Sequence, residues 1–83
     1  MEKILIDLYV PSIQMGYDVF VPSDLTLREL LPLLLEGVVD LSGGKYKVSG
    51  RELLCLQDPD MLLSASATLS YYKIRNGDRI VLL

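Results

Sequence analysis

The chain has 83 residues, a formal charge of −3, no histidine and a single cysteine. A chain this short holds one domain, residues 1–83, around one core, and its acidity excludes a nucleic-acid binder, which needs a basic stripe to neutralise phosphates. With 51% hydrophobic residues and a mean hydropathy of +0.36, it holds more apolar side chains than one small core takes up, so an exposed apolar partner surface is expected.

The first ten residues alternate in polarity, include Asp7 and lack a basic leader, so no secretory signal is expected. The longest apolar stretch, residues 30–39, is broken by Pro32, Glu36 and Gly37 and falls short of the roughly 20 residues of a membrane span. Cys55 has no partner for an intramolecular disulfide, which points to a reducing, cytoplasmic compartment.

Over residues 3–10, Ile4, Ile6, Leu8 and Val10 share one phase and Lys3, Leu5, Asp7 and Tyr9 the other, the pattern of a half-buried strand. Turn chemistry over residues 11–16 leads to a second alternating run, 17–21, stopped by Pro22, and the two form an opening hairpin. Thr26-Leu27-Arg28-Glu29 is a capping box, and Leu25 and Leu30 are spaced as a hydrophobic staple, so a helix starts at Thr26. Leu27, Leu30, Leu31, Leu34, Val38 and Leu41 fall on one helical face and are core candidates; Leu33, Leu35 and Val39 widen the arc beyond what one sheet contact requires. Pro32 inside the helix removes one backbone bond at about 3 kcal/mol and predicts a kink. Ser42-Gly43-Gly44 closes the helix.

Residues 45–51 read as a polar connector and 52–57 as a strand. A turn at Asp58-Pro59-Asp60, a brief edge strand over residues 61–63 and a surface loop over 64–68 follow. Asn76-Gly77 reads as a tight turn in which both residues tolerate positive φ. The last strand, from Arg79, is expected to be central, because four of the final five residues are apolar.

No catalytic constellation is present: histidine is absent, cysteines are unpaired, and neither a nucleophile elbow nor a phosphate loop occurs. Without histidine Cys55 lacks its usual activating base and reads as a packed thiol. Asp58 and Asp60 fall short of a calcium ligand set. The expectation is a non-enzyme with no cofactor and no metal.

The element order is ββαββ, the order of an α+β β-grasp in which a mixed sheet of four to five strands carries one helix across it. Pro22-Ser23-Asp24 before the Thr26 cap, and Thr68-Leu69-Ser70, Tyr72 and Ile74 before the last turn, resemble the corresponding segments of ubiquitin. Residues 45–67 fit that resemblance loosely. More narrowly, Ile74-Arg75-Asn76-Gly77-Asp78-Arg79-Ile80 resembles the ending of bacterial YukD/EsaB-type proteins, the small ubiquitin-like components associated with type VII secretion. The resemblance implies an accessory or regulatory module that binds other proteins and is not conjugated. The sequence as it stands ends at Val81-Leu82-Leu83 without ubiquitin's diglycine tail, an ending that the favoured family shares.

Strand phase then predicts the surface. If the helix covers Ile4, Ile6, Leu8, Val19, Val21, Leu54, Leu56, Ile80 and Leu82, the opposite face shows Leu5, Tyr9, Phe20, Leu53, Cys55, Val81 and Leu83, a contiguous apolar patch that serves as the protein-binding candidate. Two other readings stand beside it. One is a homo-oligomer or scaffold unrelated to secretion, joined through the helix arc or an edge strand; the other is a sulfur-carrier-like protein activated at its C-terminus.

Overall fold

The computed structural model describes residues 2–57 and 60–83. Strand β1 (Lys3–Val10) runs through a 3-10 turn into β2 (Met15–Pro22). Helix α1 (Leu27–Leu41) follows, then β3 (Leu54–Gln57), β4 (Asp60–Leu62) and β5 (Arg79–Leu82). The strands form one sheet in the order β2-β1-β5-β3-β4. Among the described residues only the β1/β5 pair is parallel, so the chain must cross over between them, and α1 lies on that crossover, as a parallel pair requires. This is the ubiquitin-like β-grasp, with β5 in the expected central position.

Alternation decides what is inside. Ile4, Ile6, Leu8, Val21, Leu54, Leu56, Ile80 and Leu82 are buried, and Val19 packs half-buried against them. From the helix, Leu27, Leu30, Leu34 and Val38 complete the layer. Leu31, Leu35 and Val39 are half-buried against this core, whereas Leu33 stays exposed. Leu41, a core candidate by spacing, is instead 59% exposed; it sits in the last helical turn, where it lines a groove beside β2.

The capping box is formed. The Glu29 N–H donates to Thr26 Oγ1 over 3.2 Å, and the Thr26 N–H donates to Glu29 Oε1 over 3.1 Å. That amide bond, followed by the Thr26 hydroxyl, holds the Glu29 carboxyl below the usual carboxylate range. The helix is continuous through Pro32. At its end Gly43 (φ 65°) and Gly44 (φ 86°) take left-handed geometry, and the Gly44 N–H donates to the Val39 carbonyl at 3.0 Å.

Four local expectations are revised. β2 begins at Met15 rather than residue 17, because Gln14 takes a left-handed φ of 53° and turns the chain early enough for Met15 and Gly16 to pair with Val10 and Tyr9. β3 begins at Leu54, and Glu52 lies outside it, turned inward against the preceding loop. The connector at 45–51 is not uniformly polar and exposed, since the Tyr46 side chain joins the core. In the final turn only Gly77 (φ 90°) has positive φ. Asn76 is selected there for its side chain, which accepts the Leu5 N–H at 2.8 Å while the Gly77 N–H donates to the Leu5 carbonyl at 2.8 Å. The turn expected at Asp58-Pro59 lies outside the described residues.

Candidate protein-binding surface

The seven predicted residues all lie on the sheet face opposite the helix, but strand register divides them. Tyr9 pairs with Gly16 and Val81, Val81 with Cys55, and Cys55 with Leu62. One line of residues therefore runs Gly16, Tyr9, Val81, Cys55, Leu62 across all five strands, with side chains from Tyr9 to Leu62. Leu53 and Leu83 form the neighbouring line, exchanging both backbone bonds at 3.0 and 2.9 Å. Together Tyr9, Val81, Cys55, Leu62, Leu53 and Leu83 make one apolar surface, on which Leu53, Leu62 and Leu83 are at least half exposed.

Leu5 and Phe20 do not belong to it. Asp7 pairs with Asp18 and with Arg79, and Gln57 with Asp60, so a polar line separates Leu5 and Phe20 from the rest. At its centre Arg79 Nε lies 2.8 Å from Asp7 Oδ2, and the same guanidinium stands 5.1 Å from the centroid of the Tyr9 ring. Exposed ion pairs of this kind contribute little stability, but the stacking holds the Arg79 side chain in place along the border of the apolar surface. The contiguous patch expected from alternation is thus two surfaces. Alternation states which face a side chain takes and is silent about the row.

Alternation does not place Leu62 on this face, because β4 has only three residues and its register against β3 has no signature in the sequence. Cys55 is half-buried between Val81 and Leu62, a packed position. Among the described residues no group of three or more Cys, Asp or Glu side chains converges in the manner of a metal site.

A buried carboxylate sets the edge of the surface. Glu52, 7% exposed, accepts from the Tyr46 hydroxyl at 2.9 Å, from the Ser49 N–H at 2.6 Å and hydroxyl at 3.0 Å, and from the Gly50 N–H at 3.0 Å. Burial by itself would raise its pKa, but the bonds from Ser49 and Tyr46 outweigh it and hold the carboxyl at about 2. Tyr46 responds in reverse: burial first, then its bond to Glu52, push its hydroxyl up to about 12. This knot closes the loop immediately before Leu53 and so fixes where β3 enters the sheet. Sequence alternation cannot find it, because a lone glutamate beside a strand reads as solvent-facing.

No protein-family pattern and no curated protein matches the sequence. Solved structures do match in fold. The EccD5 ubiquitin-like domain from Mycobacterium xenopi superposes with a TM-score of 0.83 at 18% identity, over 100% of this chain and 94% of that one. The ubiquitin-like domain of the Mycobacterium tuberculosis type VII secretion system protein ECCD1 gives 0.79 at 10% identity, over 100% and 99%. The ubiquitin-like domain of PLXNC1 gives 0.82 at 15% identity, over 99% and 98%.

Proposed function

We propose that this chain is a ubiquitin-like protein-interaction module of the YukD/EsaB type, serving a bacterial type VII secretion system from the cytoplasmic side and acting through its surfaces without catalysis. The observation that carries the reading is the apolar surface of Tyr9, Leu53, Cys55, Leu62, Val81 and Leu83, built on a sheet whose other face is the core. A rigid, exposed apolar face of this kind is what a partner of complementary shape buries.

Fold likeness alone does not favour secretion, since the PLXNC1 domain matches as well as the two secretion domains. What favours it is the motif at residues 74–80, whose Asn76 and Gly77 both bond β1. The test is photo-crosslinking in the native cell from a reactive residue at position 83, with and without the double substitution Leu53→Asp, Leu62→Asp. A crosslink to a secretion component, lost in the double variant while circular dichroism is unchanged, is the expected result. A crosslink that survives both charges would place the binding surface elsewhere.

A further inference from the structure

On the side of α1 away from β2, an apolar groove of about 330 Å³ runs between the helix and the loop before β3. Leu31, Pro32 and Leu35 form its helix wall and Val48 and Gly50 its loop wall. Val48 and Leu53, which also lines it, are 54% and 50% exposed. The loop wall is held from within. The Ser49 and Gly50 N–H groups donate to the buried Glu52 carboxylate, and Gly50 takes a left-handed φ of 84° to make that turn. The groove is therefore formed before any partner arrives, and little ordering cost falls on binding.

The main chain around the groove is already paired. Leu53 exchanges bonds with Leu83, the Leu63 N–H donates to the Leu54 carbonyl at 2.9 Å, and the Arg28 N–H donates to the Ala65 carbonyl at 2.9 Å. An occupant meets side chains and no free ladder, so a segment that satisfies its own main chain, a helix, is what the groove takes. The charge beside it is positive. Arg28 lines the groove, and Lys47 and Arg51 adjoin Val48 and Gly50 in the loop wall; all three are exposed, and none pairs with a described carboxylate. Among the described lining residues the one acid is Glu52, whose oxygens are occupied by donors from Tyr46, Ser49 and Gly50. By helical spacing Glu29, Glu36 and Asp40 fall on the outer face of α1, between this groove and the one beside β2.

We infer that the groove between α1 and the loop before β3 docks an amphipathic, acidic helix of another protein. Its apolar stripe lies on Leu31, Leu35, Val48 and Leu53, and its flanking carboxylates stand toward Arg28 on one side and toward Lys47 and Arg51 on the other. A second copy of this chain is a poorer occupant, because Leu33 and Leu41 are the only large apolar side chains exposed on its helix. The groove goes beyond the sheet-face reading above: of the six residues of that face only Leu53 also lines it, so the two sites are separable by substitution.

The probe is a short capped peptide with leucines at helical spacing and glutamates at the remaining positions, with a lysine-for-glutamate counterpart. Each is titrated into the whole chain and followed by amide NMR. The glutamate peptide is expected to shift the Leu31, Leu35, Val48, Gly50 and Ala65 amides, and the lysine peptide to leave them in place. Arg28→Ala is expected to weaken binding about two- to fivefold, the size of an exposed ion pair. Val48→Asp, at an exposed position with circular dichroism unchanged, is expected to weaken it at least about tenfold by setting a charge in the apolar contact. Leu62→Asp, on the sheet face and outside the groove, is expected to bind the peptide as the parent chain does. The inference is overturned if neither peptide binds, if both shift the groove amides with equal affinity, or if the shifted amides are those of Tyr9, Leu62 and Val81. It is equally overturned if the groove amides shift with protein concentration alone, or with vesicles of anionic lipid and not with the glutamate peptide.

Discussion

Replacing Glu52 by glutamine tests whether the loop before β3 is held by a charge. The carboxyl is held at about 2 against an ordinary value of 4.5. At about 1.36 kcal/mol per pKa unit that depression is worth at most about 3 kcal/mol. The loop residues around it are exposed and water screens them, so about 1–2 kcal/mol is the expected share. Because the folded pKa lies below the unfolded one, this stability is complete above about pH 4.5 and is lost as pH falls toward about 2. Glutamine keeps the volume but must present an amide donor to an array of donors, costing about 2 kcal/mol at neutral pH. Urea unfolding of both proteins across this range gives the readout: the gap between them is widest at neutral pH and narrows below about pH 4.5. A gap that stays constant with pH, or no gap at all, would refute the claim that the ionised form is what the loop is built around.

Three further substitutions probe other joints. The Tyr17 hydroxyl is buried with no hydrogen-bond partner among the described residues, so Tyr17→Phe is expected to raise the unfolding free energy by about 1 kcal/mol in the same denaturation assay. Asn76→Ala strips the Leu5 N–H of its acceptor; a loss of about 1 kcal/mol is expected, with faster exchange of the Leu5 amide read by NMR. Thr26→Ala removes the cap of α1 and is expected to lower the melting temperature, at a cost of about 1 kcal/mol.

The face taken by each strand residue was legible because side chains alternate with a period of two and one face must be covered by the helix. Ile6 against Asp7, or Ile80 against Arg79, suffices to fix the phase. The helix start was legible for a similar reason, since Thr26 and Glu29 satisfy each other's amides within four residues. What could not be read depends on partners distant in sequence. The Asn76 to Leu5 bond spans 71 positions, and the Arg79 to Asp7 pair spans 72. Leu41 shows the converse error: helical spacing assigns it to the core stripe, but at the C-terminal turn the groove beside β2 leaves it open.

Register, once known, changes what the surface can do. Had Leu5 and Phe20 joined Tyr9 and Val81 in one patch, the sheet face would carry a single apolar area reaching from β4 to β2. The Asp7–Arg79 pair prevents this, since any ligand crossing it must desolvate two charges that already neutralise each other. The two apolar areas therefore have separate desolvation boundaries, and occupancy of one leaves the other available.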